Sequence, residues 1–176
     1  FLEADRMAEA KTNAMRMLDR AKISYRVHVY GHADGKIDGV SVAEKLGQDV
    51  DAVYKTLVTR GASGGNFVFV IPVAKELDLK KAAKAVGEKS VAMIPVAEIN
   101  RTTGYIRGGC SPVGMKKLFP TVFDRAVESL PAVCVSGGRM PEGLAEGTMR
   151  KLRNAAEAGT FRLPERRDET GLRRAV

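Results

Sequence analysis

The sequence predicts an α+β fold, a single domain with a mixed, mostly antiparallel sheet flanked by helices. Three observations predict it. Two β-rich runs, 53–58 and 67–71, flank Ala62-Ser-Gly-Gly-Asn66, which has the composition of a hairpin connection. Helix signals occur at irregular intervals, which disfavours the regular alternation of a doubly wound fold. The chain has 176 residues, 44% hydrophobic and 28% charged, which suits one globular domain with its own core and excludes a disordered or collagen-like chain. Trp is absent and aromatics make up 6%, so that core must be aliphatic.

The elements follow in order. Met7, Ala10, Ala14, Leu18 and Ala21 recur at three- and four-residue spacing among charged residues, predicting an amphipathic surface helix over 4–21. Alternation over 25–30 predicts a half-buried strand, and the Gly- and Asp-rich stretch 31–39 a loop. Ser41 and Glu44 have the spacing of a capping box and Gly47 that of a left-handed stop, predicting a short helix between them. After the hairpin, Asp78 caps a helix through Val86 that ends at Gly87, and a strand is expected over 91–94 and a helix over 96–100. Short strands are expected at 105–106, 121–123 and 132–135, and a last helix over 148–158. The Arg- and Glu-rich segment after Phe161 reads as a loosely held tail.

Charge and cysteine content set the surroundings. The formal net charge is +8, which favours a polyanionic partner, but half of the excess lies in residues 150–176, leaving the body mildly basic. Such a tail serves equally well as a solvated terminus. The chain carries two cysteines, Cys110 and Cys134, and two histidines, His28 and His32, with no CxxC spacing. Neither a zinc site nor a disulfide framework is indicated, and no metal or cofactor is expected. No apolar run approaches the roughly 20 residues that span a bilayer, so a cytoplasmic protein without a membrane partner is expected.

Three places concentrate unusual residues. Period-two alternation puts Lys55 on the face of Val53 and Leu57, where its ammonium either enters a cleft and meets an anion or snorkels to water from a strand edge. Four glycines between Gly104 and Gly114, beside hydroxyl residues, suit a backbone that approaches a ligand and aims amides at an anion, or a plain bulged loop. A strand ends in Ser136-Gly137-Gly138, which also permits close approach. Nucleophilic catalysis lacks its parts: Ser111 and Ser136 have no G-x-S-x-G setting, and no Ser-His or Cys-His pair follows from spacing.

At these residues the chain resembles the YbaK/EbsC family of aminoacyl-tRNA editing domains. The motifs are Lys22-Ile-Ser24, His28-Val-Tyr30, Val53-Tyr-Lys-Thr-Leu57, Leu77-Asp-Leu-Lys-Lys81, Thr103-Gly-Tyr105, Gly108-Gly109 with Ser111-Pro112, and Val135-Ser-Gly-Gly138. The resemblance implies an editing domain over 1–160 with a basic tail over 161–176. It also implies hydrolysis of a mischarged aminoacyl-tRNA ester, above all Cys-tRNA(Pro), with prolyl-tRNA synthetase as a partner in selecting tRNA(Pro). It implies that Lys55 is the central substrate-binding group, that Gly108 and Gly109 receive the aminoacyl carbonyl, and that Tyr30, Thr56, Ser111, Ser136 and Gly137 line the pocket. Glu142 is the nearest counterpart of an acidic residue the family carries after Ser-Gly-Gly. The family's proposed chemistry needs no protein nucleophile: the substrate cysteine thiol attacks its own ester to give a cyclic thiolactone. Cys110 replaces an aliphatic residue of the family pattern, which leaves open a deacylase for Ala-tRNA(Pro) or another small amino acid using water. A tRNA- or synthetase-binding module without turnover is the non-enzymatic alternative.

Overall fold

The computed structural model describes residues 11–29 and 38–138, with the backbone of two further strands at 142–145 and 172–173. The hairpin is its spine. β2 (Tyr54–Gly61) pairs antiparallel with β3 (Asn66–Pro72), Lys55 opposite Ile71 and Thr56 opposite Val70. β4 (Val91–Met93) adds to the other edge of β2 along Thr59 to Gly61 only, and β5 (Thr121–Asp124) runs parallel to β3. β8 (Leu172–Arg173) pairs antiparallel with β5, so two residues of the segment read as a loose tail form a sheet edge. This mixed sheet has the order β4-β2-β3-β5-β8. A second, three-stranded antiparallel sheet has the order β1-β7-β6, from β1 (Arg26–Val29), β6 (Val135–Ser136) and β7 (Glu142–Ala145).

The two faces of the mixed sheet bury different partners. Val58, Val68, Val70 and Phe123 on one face pack with Tyr105, Val113 and the apolar side of α1 (Asn13–Arg20). Phe69 and Val122 on the other meet Ala82, Ala83 and Val86 of α3 (Leu79–Val86). Each such Val or Phe, fully withdrawn from water, contributes about 1.5–3 kcal/mol, so the central strands need no polar partner beyond their ladder.

Helix ends follow local chemistry. Asp78 accepts the amides of Lys80 and Lys81 to start α3, and Gly87, left-handed at φ 71°, stops it. α2 (Gly39–Leu46) stops at Gly47 as expected, but its cap is Asp38, not a capping box begun at Ser41. The Asp38 carboxylate takes both the amide and the hydroxyl of Ser41, which places Ser41 inside the first turn. α1 starts later than its apolar spacing suggested because Thr12, accepting from the Met15 amide, caps it. Residues 4–10 of that expected helix, Tyr30 and the expected helix over 148–158 lie outside the described residues. α4 (Val96–Thr103) runs three residues beyond its expected end. Tyr105-Ile106 is loop where a strand was expected, because the Tyr105 hydroxyl donates to the Val113 carbonyl (2.6 Å) and folds the chain back on itself.

Candidate functional site

Among the described residues the ladder around β2 is incomplete at one end, and the site starts there. On the β3 side, the Val73 amide donates to the Val53 carbonyl. On the opposite edge, the Tyr54 amide donates to the Cys134 carbonyl (2.9 Å) and the Ile94 amide to the Val58 carbonyl (3.2 Å). Alternation along a strand therefore turns the N–H and C=O of Thr56, between them, to that same outer edge. A parallel ladder begun at Val53 and Cys134 would next bring Ser136 onto Thr56. Instead β6 leaves to pair with β7, Ser136 opposite Gly143, and the chains part.

The space between them is a cleft of about 430 Å³. The edge of β2 from Tyr54 to Val58 is its floor. Gly39, Val42 and Leu46 of α2 with Val53 and Val73 make one wall, and Met93, Ile94, Val96 and Ile99 make the other. Arg107, Gly108 and Cys110 form one lip, and Val135 and Ser136 the facing one. Arg60 and Arg101 hold the Glu98 carboxyl below the usual carboxylate range, fastening α4 beside the far end of β2.

Lys55 lines this cleft with its side chain 26% exposed, and its Nζ lies 3.7 Å from Glu76, itself exposed to water. An ion pair that open is weak and readily exchanged for a substrate anion. On the opposite face of the strand, the hydroxyls of Tyr54 and Thr56 are buried without a hydrogen bond among the described residues. Burial, reinforced by the Asp124 and Asp51 carboxylates, raises the pKa of the Tyr54 phenol. A buried hydroxyl without a partner costs about 1–3 kcal/mol, so this end of β2 is less completely bonded than an ordinary core strand.

The glycine motifs divide by role. Gly109 donates its amide to the Ile106 carbonyl (3.0 Å), closing a turn with Arg107 and Gly108 at its corners and Gly108 at φ 80°, the arrangement of a type II turn. Of the two glycines expected to receive a carbonyl, Gly108 is thus on the cleft, while the Gly109 amide is already engaged inside the turn. Ser136 donates its hydroxyl to the Gly108 carbonyl (3.4 Å), so the two motifs meet across the cleft mouth. Gly114 and Gly138 serve packing: a Cβ on either would lie under 3 Å from the Tyr105 ring or its hydroxyl. Gly137 accepts the Thr12 hydroxyl through its carbonyl (2.6 Å) and lies off the cleft.

Ser111 is fully buried, its hydroxyl accepting from the Val113 amide (3.3 Å), and it too lies off the cleft. Thr56 lies on the floor, Glu142 at the start of β7 opposite Val29, and Tyr30 outside the described residues. The sequence reading missed Arg107 and the apolar walls from α2, β4 and α4, which carry no motif. Both cysteines line the cleft as free thiols, and burial pushes each up to about 11. At neutral pH they are protonated and poor nucleophiles. Among the described residues no three His, Cys, Asp or Glu side chains gather as metal ligands, and no helix is long and apolar enough to cross a membrane.

Comparison with known proteins places this arrangement. The family model for an aminoacyl-tRNA editing domain matches residues 38–154. A protein of Enterococcus faecalis (strain ATCC 700802 / V583), named "Putative Cys-tRNA(Pro)/Cys-tRNA(Cys) deacylase EbsC", is 46% identical over 136 residues, covering 77% of this chain and 83% of the relative. A crystal structure described as a putative trans-editing enzyme for prolyl tRNA synthetase superposes with a TM-score of 0.70 at 25% identity, covering 85% of this chain and 94% of the other. Another, described as a hypothetical protein, reaches 0.74 at 25% identity over 83% and 95% of the two chains. With two thirds of its length under the family model and a relative this similar, the chain that builds a cleft on an open strand edge belongs to the aminoacyl-tRNA editing domain family.

Proposed function

We propose that this editing domain, an aminoacyl-tRNA deacylase, removes cysteine from Cys-tRNA(Pro), using the substrate's own thiol as the nucleophile. The observation that carries the reading is the gap in the β2 ladder at Thr56, which offers one main-chain donor and one acceptor beside Lys55, inside an apolar cleft sized for a small ligand. The donor suits the ester carbonyl as it gains negative charge, and the acceptor suits the α-ammonium of the aminoacyl group. Lys55 engages the terminal nucleotide, and the apolar walls receive a short side chain. Gly108 and Ser136 narrow the mouth and hold the ester near the floor.

The chemistry balances within the substrate. The cysteine sulfur forms a bond to the ester carbonyl carbon, the carbonyl oxygen takes the electron pair, and the intermediate collapses by breaking the bond to the ribose oxygen. The thiol proton ends on that oxygen, leaving a free tRNA hydroxyl and a cyclic thiolactone that water opens. Folding the chain into a near-attack geometry contributes much of such an acceleration without a catalytic side chain. The protein thiols, protonated at neutral pH, offer no competing nucleophile. The reading carries with it a cytoplasmic setting and a synthetase partner for the choice of tRNA(Pro).

A panel of mischarged tRNAs tests it. Cys-tRNA(Pro) should be cleaved and Ala-tRNA(Pro) spared, because alanine has no thiol. Equal cleavage of both points to attacking water, and tRNA retention with no cleavage of any ester points to a binding module.

A further inference from the structure

Among the described residues, two cations line the cleft, Lys55 and Arg107. Arg107 stands on its lip, exposed, and forms no ion pair among the described residues. Its position is set by the turn that Gly109 closes onto Ile106, and Ser136 holds the carbonyl of the next residue from across the mouth. No Asp or Glu is among the described residues lining the cleft, and the one carboxylate near either cation, Glu76 at 3.7 Å from Lys55 Nζ, is exposed to water and weakly held. A low-dielectric hollow whose described lining carries two cations and no carboxylate focuses an attractive field on an approaching anion.

The substrate class limits which anion that is. An aminoacyl ester has no free carboxylate, and the anions it brings are the phosphodiesters of the RNA end. The apolar interior suits the aminoacyl group, so the first phosphate 5′ of the terminal nucleoside lies toward the lip, and a guanidinium there presents a fork that matches phosphate oxygens. We infer that Arg107 clamps this backbone phosphate and so sets how deeply the ester end enters; this rests on the function proposed above.

The test separates the two. Binding of uncharged tRNA(Pro) to the full chain is followed by fluorescence anisotropy across a sodium chloride series, for wild type, Arg107→Gln, Arg107→Lys and Lys117→Gln. Lys117 is an exposed cation that does not line the cleft. Losing one phosphate contact should flatten the plot of log K against log salt by about 0.7–0.9 in Arg107→Gln and weaken binding about tenfold, with Arg107→Lys restoring the slope. An unchanged slope in Arg107→Gln, or an equal change in Lys117→Gln, overturns the assignment whether or not the protein deacylates anything. In deacylation, KM for Cys-tRNA(Pro) should rise about tenfold more than KM for the cysteinyl ester of adenosine, which lacks that phosphate. Equal rises also overturn it.

Discussion

The two ends of β2 share one strand and one register, yet one end is covered by strands on both edges and the other on one. At the far end, Thr59 to Gly61 is flanked by β3 and β4, and the fully buried Thr59 hydroxyl donates to the Phe67 carbonyl. At the near end, β3 flanks Tyr54 to Leu57 on one edge while the Tyr54 amide bonds the Cys134 carbonyl on the other, and among the described residues the buried hydroxyls of Tyr54 and Thr56 have no partner. The first end has strands on both sides, with one buried side-chain atom, the Asn66 Oδ1 opposite Arg60, lacking a partner among the described residues. The second keeps an open main-chain edge at Thr56, and the fold carries that cost because a ligand can make those hydrogen bonds.

The largest effect that would bear on this contrast is at Lys55. Replacing it with Ala removes the near end's cation and should lower deacylation of Cys-tRNA(Pro) about a hundredfold or more, with thermal stability close to wild type because its Glu76 partner is exposed. Cysteine release at the wild-type rate would sink the role given to that lysine.

Next in size is an alkaline loss of stability. The thiols of Cys110 and Cys134 are raised from 9.0 to about 11 in the fold, so between those values the unfolded chain releases protons that the folded chain keeps. Their contribution is complete below pH 9 and disappears as pH rises through 11, about 2–3 kcal/mol for each thiol. Denaturant unfolding at pH 8 and pH 11 measures it. Cys134→Ala should show the shallower decline, and an identical decline in variant and wild type would remove Cys134 from the account.

The sharpest comparison is a pair of threonines three residues apart. Thr56→Val deletes a hydroxyl that is buried without a partner among the described residues, so stability should hold or rise by up to about 1 kcal/mol with deacylation near wild type. Thr59→Val deletes a bonded hydroxyl and should cost about 1 kcal/mol of stability with deacylation near wild type. Thermal melts beside deacylation rates decide it. If both variants lose stability equally, the near end is ordinary core.

How far the residues announced this is uneven. The hairpin, the Asp78 cap and the stops at Gly47 and Gly87 were readable because each is local: a turn composition, a carboxylate two or three residues before an amide, a left-handed glycine. The Ser41 capping box failed because Asp38 offers a stronger acceptor at the same spacing. The glycine-rich motifs were visible, but not their division of labour, since only the fold brings Tyr105 against Gly114 and Gly138 and leaves Gly108 for the cleft. Ser111 and Gly137 read like site residues and proved to be internal ties.

Lys55, its strand and the motifs that mark the family were thus written in the order of the residues, because side-chain alternation and turn chemistry act over a few positions. Whether that lysine faced a cleft, which hydroxyls stayed unbonded, and that Arg107 joined it at the mouth depended on where β6 parts from β2. That parting sets Val53 against Cys134, 81 positions apart in the numbering, and no local preference specifies a pairing of that range.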